Sequence, residues 1–330
     1  MPKYGFISRI GQGSYGVVMK ARVIETGKTV AIKRILLKND SQSKLELMRE
    51  VLCLQNCKHD NIVELFEVIE EDGTVSLVME YLTTNLKNVI NDIHRPINDH
   101  YVRFYFVQLF KGVDFLHKMD VMHRDLKPDN ILISSSNRLK ITDFGQSCLY
   151  CPEIPDENYG NQAGTRWYRA PELLFGATVY DTKIDMWSCG CVLAEFLNSC
   201  AMFPGRNDFE QIARIMNVLG TPNAETWPGW EELPDSKKIA FEEVEAVNDW
   251  ETVGDAARKR AMLGLLKSLL SYHSVKRPSA EECLRDPFFA RPIPESIDYA
   301  PTAQLKNPPS TQVVYQFGDI QTAFLSLDDL

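Results

Sequence analysis

The chain has 330 residues, of which 44% are hydrophobic and 25% are charged, proportions typical of a folded globular protein. Its formal net charge of −9 argues against broad electrostatic binding to nucleic acid or to anionic lipid. No apolar stretch approaches the length of a membrane span, and the first residues form no hydrophobic signal core. We therefore expect no nucleic-acid partner, no membrane insertion and a location in the cytoplasm or nucleus.

The eight cysteines of such a protein are expected to be reduced thiols. Cys148 and Cys151 form a C-x-x-C, and Cys53 and Cys57 are one helical turn apart. A structural metal site normally adds a second matching pair or histidines at ligand spacing, and the sequence has neither. Thiols in loops and in the core are the favoured interpretation.

The first eighty residues are predicted to form strands with one helix. Runs rich in branched apolar residues, separated by turn-forming segments, predict strands at Gly16–Ile24, Thr29–Leu36, Ile62–Ile69 and Val75–Tyr81. Leu45, Met48, Leu52 and Gln55 keep helical spacing, which predicts a helix over Lys44–Gln55.

After Leu82 the pattern changes to helices. An apolar stripe predicts a buried helix at Asp99–Lys118. Further helices are predicted at Thr182–Leu197, Asp208–Leu219, Gly254–Leu270 and Ser279–Arg285. A β-rich lobe followed by a helical lobe gives an α+β architecture with a ligand cleft between the lobes. From Arg291 onward prolines predict an extended tail. Within it, Val313–Phe317 either docks on the first lobe, recruits a partner or is weakly ordered.

A glycine-rich segment, Gly11-Gln12-Gly13-Ser14-Tyr15-Gly16-Val17-Val18, lies between two predicted strands. This context excludes a dinucleotide-binding turn and favours a β-hairpin folded over a triphosphate. Glycines suit that task because a Cβ would hold the backbone away from the phosphate oxygens. Taken alone the signal is weak, since glycine-rich hairpins without a ligand are common.

A lysine stands in the apolar strand Val30-Ala31-Ile32-Lys33. Burying its ammonium group is costly unless the charge is paired. Glu50, on the following helix, is the predicted partner, and Lys33 is then placed to bind the α- and β-phosphates of ATP. The alternative is a lysine whose amino group extends to the surface.

The most specific segment is His123-Arg124-Asp125-Leu126-Lys127-Pro128-Asp129-Asn130, followed by Asp143-Phe144-Gly145. Phosphoryl transfer through a loose transition state needs charge neutralisation and alignment more than covalent help. Asp125 is predicted to accept the proton of a substrate hydroxyl, and Lys127 to neutralise the γ-phosphate. Asn130 and Asp143 offer oxygen ligands suited to Mg²⁺.

The stretch that begins at Asp143 is closed by Gly164-Thr165-Arg166-Trp167-Tyr168-Arg169-Ala170-Pro171-Glu172. Thr165 is predicted to hydrogen-bond Asp125 and to hold that carboxylate in position. Glu172 is expected to be buried, with Arg277 as its bidentate partner in a pair that is structural rather than catalytic.

Together these motifs resemble the eukaryotic protein kinases over about residues 4–289. The branch that contains the cyclin-dependent and mitogen-activated kinases is resembled in Trp167–Glu172 and in the long stretch 205–253. Within that branch, the cell-cycle-related kinases are resembled in Leu219–Asn223. The resemblance implies a bilobal α+β fold, with an N-lobe at 4–82, a C-lobe at 83–289 and a Pro-containing C-terminal extension at 290–330. It implies Mg²⁺- and ATP-dependent phosphorylation of serine or threonine in proteins.

The resemblance also implies an ATP site between the lobes. Adenine is expected between Ala31 and Leu132, with Met79 as gatekeeper and the backbone of Glu80 and Leu82 on the adenine edge. The complete set of expected ATP-binding residues is Ile10, Gly11, Gln12, Gly13, Ser14, Tyr15, Gly16, Val17, Val18, Ala31, Lys33, Glu50, Met79, Glu80, Leu82 and Leu132. Ser14 and Tyr15 stand where relatives carry inhibitory phosphates; the alternative is that they are ordinary residues of the loop.

Substrates with Ser/Thr-Pro sites are implied as well. In this branch the arginine matching Arg169 engages a backbone carbonyl near the site for the residue after the phosphoacceptor, and proline has no N–H to leave unpaired there. A cyclin or cyclin-like activator is a further implied partner, although Leu45–Glu50 lacks the Pro-Ser-Thr-Ala-Ile-Arg-Glu pattern of well-known cyclin binders. The cell-cycle-related kinases are associated with cilium assembly and with activating related kinases, which adds a cilium- or dendrite-type projection to the expected locations.

The chain departs from its relatives where they are activated by phosphorylation. Their phosphorylated threonine matches Gly160, and the third of their phosphate-binding arginines matches Cys148, whereas Arg49 and Arg124 match the other two. We therefore expect an activation segment that works without this phosphate. One hypothesis is that a carboxylate approaches the two arginines, and the alternative is that the acids lie in solvent; the candidates are Glu153, Asp156 and Glu157.

Two further observations bear on activity. Gln146-Ser147 stands where relatives often carry Leu-Ala, so we expect the packing of an inactive state to differ. A catalytically weak, kinase-shaped scaffold is the main alternative function, and a kinase of lipids or small molecules is another. The presence of Lys33, Asp125, Asn130 and Asp143 argues against the first, and the Trp167–Glu172 segment argues against the second.

Overall fold

The fold is taken from a computed structural model, which describes residues 3–13, 16–37, 41–71, 73–95, 98–154, 157–238, 241–247, 256–293 and 295–301. Ser14, Tyr15, Asp156 and the tail segment Val313–Phe317 lie outside these residues. The described chain forms a β-sheet lobe followed by a helical lobe, which confirms the predicted α+β, bilobal class.

The smaller lobe is built on one antiparallel sheet with the strand order β1-β2-β3-β5-β4. Its strands are β1 (Tyr4–Gly13), β2 (Gly16–Val23), β3 (Thr29–Leu36), β4 (Leu65–Glu71) and β5 (Thr74–Glu80). Both faces bury apolar side chains. Ala21, Val30, Ile32 and Val78 form a small cluster on one face, whereas Leu77 and Met79 join the main core on the other.

Helix α1 (Ser41–Asn56) connects β3 to β4 and packs with Leu47 and Leu54 in the core. The helix was predicted from the spacing of Leu45, Met48 and Leu52, and the structure confirms it. These three side chains are nevertheless 42%, 59% and 53% exposed, so the stripe that revealed the helix faces away from the core. The face that does pack carries Glu50 at its centre.

The larger lobe contains helices α2 (Leu86–Asn91), α3 (Asp99–Lys118), α4 (Pro171–Leu174), α5 (Lys183–Asn198), α6 (Asp208–Leu219), α7 (Ala256–Leu269) and α8 (Ala280–Arg285). Short strands accompany them: β6 (Thr84–Asn85), β7 (Val121–Met122), β8 (Ile131–Ile133), β9 (Leu139–Ile141) and β10 (Cys148–Leu149). Single 3₁₀ turns lie at Pro128–Asn130, Phe144–Gln146, Arg166–Tyr168, Trp230–Glu232 and Ser274–Lys276. The long helices match their predicted positions to within two residues. α2, α4 and the two- and three-residue strands were not predicted.

Helix α3 is the central packing element of the larger lobe. Its predicted apolar stripe is fully buried, with Phe106, Phe110 and Leu116 at 0% exposure. Asn98 caps the N-terminus of α3 by accepting hydrogen bonds from the N–H groups of His100 and Tyr101. The described helices include none long and apolar enough to cross a membrane.

The chain beyond α8 stays on the larger lobe as far as it is described. The Tyr299 hydroxyl donates to Asp92 at 2.7 Å, and the Tyr299 carbonyl accepts from the Asn137 amide at 2.6 Å. The hydroxyl of Tyr101 donates to the carbonyl of Asp298 at 2.7 Å. Residues 297–299 are therefore anchored against the C-terminus of α2, the start of α3 and the β8–β9 turn.

The predicted pair of Glu172 and Arg277 is present as a two-bond ion pair. Arg277 Nη1 and Nη2 donate to the two carboxylate oxygens of Glu172 at 2.6 and 2.7 Å. The Arg277 side chain is 0% exposed, and its remaining N–H groups donate to backbone carbonyls, among them that of Ser271. The pair ties α4 to the chain just before α8.

Replacing Glu172 by glutamine should destabilise the fold by about 3–5 kcal/mol, because the Arg277 charge would be left buried without a counter-charge. The free energy of unfolding in urea is the measurement. Glu281→Gln is the matched control, since its partner Arg285 is 70% exposed and such pairs contribute at most about 1 kcal/mol. Equal losses in the two variants would contradict the assignment.

Candidate active site

A buried ammonium group joins three segments between the lobes. Lys33 Nζ, on β3, lies 2.7 and 2.9 Å from the carboxylate oxygens of Glu50 on α1. It also lies 2.9 Å from Oδ1 of Asp143, at the start of the Phe144–Gln146 turn. The predicted pairing of Lys33 with Glu50 is thus present, and the alternative of a surface lysine is wrong.

The electrostatics of this cluster favour the charged forms of Lys33 and Asp143. Burial by itself lowers the pKa of Lys33, but the carboxylates of Glu50 and Asp143 outweigh it and raise that pKa above its ordinary value. Burial raises the pKa of Asp143, and the Lys33 ammonium reverses this, so that the pKa lies below its usual range. Lys33 is therefore charged and Asp143 ionised at neutral pH.

The carboxylate of Asp125 is held by four hydrogen-bond donors. Its Oδ1 accepts from the backbone N–H and the hydroxyl of Thr165, both at 2.7 Å. Its Oδ2 accepts from Lys127 Nζ at 2.8 Å and from the Asn130 amide at 3.0 Å. The predicted contact between Thr165 and Asp125 is therefore present. Lys127 Nζ also donates to the Thr165 hydroxyl at 2.7 Å, which closes the network.

His123 links the Asp125 loop to the Asp143 segment. The backbone N–H of Asp125 donates to His123 Nδ1 at 3.2 Å, so the proton of a neutral imidazole is on Nε2. Nε2 lies 3.0 Å from the carbonyl oxygen of Thr142 and donates to it. The His123 ring contacts the buried Phe144 ring edge-on, with centroids 5.0 Å apart.

Asp185 is a positioning residue that the sequence reasoning missed. It lies on α5 with 0% exposure and accepts from the backbone N–H groups of His123 and Arg124 at 2.9 and 2.8 Å. Burial raises its pKa, but hydrogen bonds from His117 and His123 bring it below the ordinary value. Arg124 has φ +65, a strained conformation that these bonds hold. An acid within the apolar run Ile184-Asp185-Met186-Trp187 was the signal available in the sequence.

The glycine-rich segment forms the predicted hairpin, with Gly13 paired to Gly16 across β1 and β2. Gly16 is required by packing within the sheet, because a Cβ there would lie 1.9 Å from the carbonyl oxygen of Arg34. At Gly11 a Cβ would meet only Val18, at an ordinary 3.7 Å. Sheet packing therefore explains the glycine at position 16 but not the one at position 11, where the approach of a phosphate stays a prediction.

The residues expected around adenine lie on strands of both lobes. Ala31 pairs with Met79 across β3 and β5, and Leu132 lies on β8, which pairs with β6 just after the connecting segment. The backbone N–H of Glu80 donates to the carbonyl of Glu64 at 3.0 Å. That N–H is thus bonded within the smaller lobe, and the adenine contacts expected for the backbone of Glu80 and Leu82 stay a prediction.

Two oxygen donors fit a magnesium ion beside this cleft. The Asp143 side chain is 40% exposed, although one of its oxygens pairs with Lys33. The Asn130 amide nitrogen donates to Asp125, which directs its oxygen away from that carboxylate. The described residues contain no cluster of three or more acidic, His or Cys ligands. This donor set agrees with Mg²⁺, which is held in proteins by one or two carboxylates plus waters and phosphates.

Arg124 has partners that differ from the hypothesised carboxylates. Its Nε donates to the carbonyl of Gln146 at 2.7 Å, and its Nη1 donates to the carbonyl of Tyr159 at 2.8 Å and to the hydroxyl of Tyr180 at 3.0 Å. The Tyr180 hydroxyl in turn donates to the carbonyl of Gly160 at 2.7 Å.

The carboxylate hypothesis is therefore wrong for Glu153 and Glu157, neither of which pairs with Arg124. The reason is that backbone carbonyls and a hydroxyl already accept hydrogen bonds from Nε and Nη1 of that arginine. Asp156, the third candidate, lies outside the described residues.

The geometry agrees with comparisons to known proteins. A family model described as "Protein kinase domain" matches residues 4–289. "Cyclin-dependent kinase 20" of Danio rerio is 42% identical over 307 residues, which cover 92% of this chain and 88% of the relative. The protein of the same name from Homo sapiens is 39% identical over 307 residues, which again cover 92% of this chain and 88% of the relative. That from Mus musculus is 38% identical over 313 residues, which cover 94% of this chain and 90% of the relative. The chain therefore belongs to the protein kinases, as a serine/threonine kinase of the cyclin-dependent-kinase type.

Proposed function

We propose that the chain transfers the γ-phosphoryl group of Mg²⁺-bound ATP to Ser/Thr-Pro sites in proteins. The observation that carries the proposal is that Lys33 bonds Asp143 and Asn130 bonds Asp125. His123 joins the two pairs, because it accepts from the Asp125 N–H and donates to the carbonyl of Thr142, which precedes Asp143. Each group offers what phosphoryl transfer needs, namely a cation for the phosphates, oxygen ligands for the metal and a carboxylate for the hydroxyl proton.

In this mechanism Lys33 holds the α- and β-phosphates while Glu50 fixes its ammonium group. Asn130 and Asp143 would hold Mg²⁺, which neutralises charge on the phosphates when bound. Asp125 orients the substrate hydroxyl and accepts its proton, and Thr165 fixes the plane of that carboxylate. Lys127, 2.8 Å from Asp125, neutralises charge on the transferred group.

Asp125→Asn should lower kcat on a peptide substrate by about 10²–10⁴-fold, because the amide cannot accept the hydroxyl proton. Steady-state peptide phosphorylation is the measurement. Asp129→Asn is the matched control, since Asp129 is an exposed acid in the same loop and should retain activity. Low turnover by the wild type, unchanged in Asp125→Asn, would favour the kinase-shaped scaffold instead.

The preference for proline is supported by the contacts of Arg169. Its Nη2 donates to the carbonyl of Gly164 at 2.8 Å, and its Nε donates to the carbonyl of Ala163 at 3.1 Å. These carbonyls directly precede Thr165, which contacts Asp125, and so lie beside the place of the phosphoacceptor. Arg169 competes for these carbonyls with the N–H of the next substrate residue, and a proline has no such group to leave unpaired.

Ser-Pro peptides should therefore be phosphorylated with a kcat/KM about 5- to 100-fold higher than matched Ser-Ala peptides, the range expected when one N–H is left unpaired. A pair of peptides differing at this residue alone tests the preference. Equal rates on the two peptides would contradict it, and lipid or sugar phosphorylation would contradict the protein substrate.

We also propose that the activation segment functions without phosphate at the position of Gly160. Support comes from Arg124, whose Nε donates to the carbonyl of Gln146 and whose Nη1 donates to the carbonyl of Tyr159 and to the Tyr180 hydroxyl. The rings of Tyr159 and Tyr180 pack with centroids 5.4 Å apart, which adds an apolar contact to this polar network.

Phosphatase treatment should leave the activity of the purified enzyme unchanged, whereas Tyr180→Phe should lower it about 3- to 10-fold through loss of the hydroxyl's hydrogen bonds. Kinase assays with mass spectrometry of the active protein make both measurements. Tyr150→Phe is the control, because Tyr150 packs beside Tyr159 at 6.4 Å without bonding Arg124. An obligatory phosphate, for example on Tyr159, would defeat the proposal.

A cyclin or cyclin-like activator is the proposed regulatory partner. The relatives carry cyclin dependence in their name. In this chain the exposed stripe Leu45, Met48 and Leu52 presents apolar side chains on α1, the helix that carries Glu50. A partner covering that stripe would fix the helix and with it the Lys33–Glu50 pair.

Met48→Glu should abolish activation by such a partner and leave basal activity within about twofold, because burying a new carboxylate in the interface is costly. Activity with and without candidate cyclins measures the effect. Ile24→Glu, at an exposed apolar residue of the smaller lobe away from α1, is the control. Loss of activation in both variants would contradict the assignment of the surface.

The cellular role is proposed from the resemblance to the cell-cycle-related kinases. We propose that the chain acts in cilium assembly and in activating related kinases, in the cytoplasm, the nucleus or a cilium- or dendrite-type projection. Imaging of the tagged chain, with cilium length measured after loss of the protein, tests this cellular role.

We propose in addition that the kinase domain spans 4–289, with the lobes divided after residue 82 and an extension at 290–330.

A further inference from the structure

Ser147 is a buried polar residue that the proposed mechanism does not use. It follows Asp143-Phe144-Gly145-Gln146 in the chain, is 0% exposed and stands where relatives often carry alanine. A hydroxyl buried so deeply is retained at low cost only when it is hydrogen-bonded.

The Ser147 hydroxyl contacts two different segments. Its Oγ donates to the carbonyl oxygen of Phe144 at 2.7 Å, which closes the turn after Asp143. The Sγ of Cys53, on α1, lies 3.1 Å from the same Oγ. The hydroxyl therefore lies between the helix that carries Glu50 and the turn that carries Asp143.

The directions of these hydrogen bonds follow from counting protons. A carbonyl oxygen can only accept, so the single hydroxyl proton of Ser147 points to Phe144. The remaining contact then has the Cys53 S–H as donor and Ser147 Oγ as acceptor. Burial raises the pKa of Cys53, which keeps its thiol protonated at neutral pH.

The link lies on the same face of α1 as the catalytic ion pair. Glu50 and Cys53 are three residues apart, so their side chains are neighbours on the helix surface. Glu50 reaches Lys33, while Cys53 reaches the turn that follows Asp143. A movement of α1 away from that turn would break both contacts together.

We propose that Cys53 and Ser147 are positioning residues, whose S–H···O hydrogen bond holds α1 against the Asp143 turn in the arrangement that pairs Lys33 with Glu50. The inference rests on the proposed function and deepens it. The bond exists only when the helix is docked, so it favours the docked state by its own strength. Losing it should reduce the ratio of docked to undocked molecules about 3- to 10-fold.

Three variants separate the hydrogen bond from packing. Ser147→Ala removes the acceptor together with the bond to the Phe144 carbonyl, whereas Cys53→Val removes the donor alone at similar volume. Cys53→Ser keeps a donor at the same position and should rescue the function. Cys57→Val is the matched control, because Cys57 is a buried thiol (3% exposed) one turn further along, and it should match the wild type.

Two readouts are needed. The first is kcat/KM for peptide phosphorylation at saturating ATP. The second is the affinity for an ATP-competitive inhibitor that requires the Asp143-Phe144-Gly145 segment to turn outward, measured without turnover. Ser147→Ala and Cys53→Val should tighten inhibitor binding about 3- to 10-fold, because the docked state remains the larger one and the undocked fraction rises by nearly the full change in the ratio. The docked fraction falls by less, so kcat/KM should fall by a smaller factor than the inhibitor affinity rises. The double variant should be no worse than Ser147→Ala.

Several results would overturn the proposal: Cys53→Ser behaving like Cys53→Val, additive losses in the double variant, or inhibitor affinity unchanged in Ser147→Ala. A general loss of stability would lower activity without tightening the inhibitor. Inhibitor binding also distinguishes this proposal from the proposed function. A wild type without kinase activity refutes the latter, whereas unchanged inhibitor affinities in an active enzyme refute only the hydrogen-bonded link.

Discussion

The active site depends on one buried charge cluster, in which the Lys33 ammonium lies between the carboxylates of Glu50 and Asp143. Each member is on a different element, namely β3, α1 and the turn after β9. Burying a charge away from water costs free energy unless a counter-charge is close. Each carboxylate is therefore stabilised by the ammonium group of Lys33. The requirement to pair these charges therefore fixes the mutual position of the two lobes where the nucleotide would bind.

A second set of buried polar groups holds the loop that carries Asp125. Asp185 accepts two backbone N–H groups of that loop, and His123 joins it to the carbonyl of Thr142. Gly164 is required here by close packing, because it has φ +84 and a Cβ would lie 2.5 Å from the carbonyl of Arg124. The loop geometry thus comes from hydrogen bonds to the core of the larger lobe and does not rely on a bound substrate.

The activation segment is held by hydrogen bonds within the folded chain. Arg124 donates to two backbone carbonyls and to a tyrosine hydroxyl. These acceptors are weaker than a phosphate but already lie within the folded chain. The absence of a hydroxyl at Gly160 and of an arginine at Cys148 is consistent with such a neutral arrangement.

The sequence by itself determined the α+β class, the long helices and strands, and the groups that meet in the cleft, because periodicity and short motifs are local properties of the chain. It also identified Glu172 and Arg277, since a buried ion needs a counter-ion. Only the tertiary structure decided which face of α1 packs, that Arg124 bonds carbonyls, and that Asp185 and Ser147 hold catalytic segments. Those outcomes depend on contacts between residues that are far apart in the chain. A pattern in the sequence does not show which of these distant groups a side chain will contact.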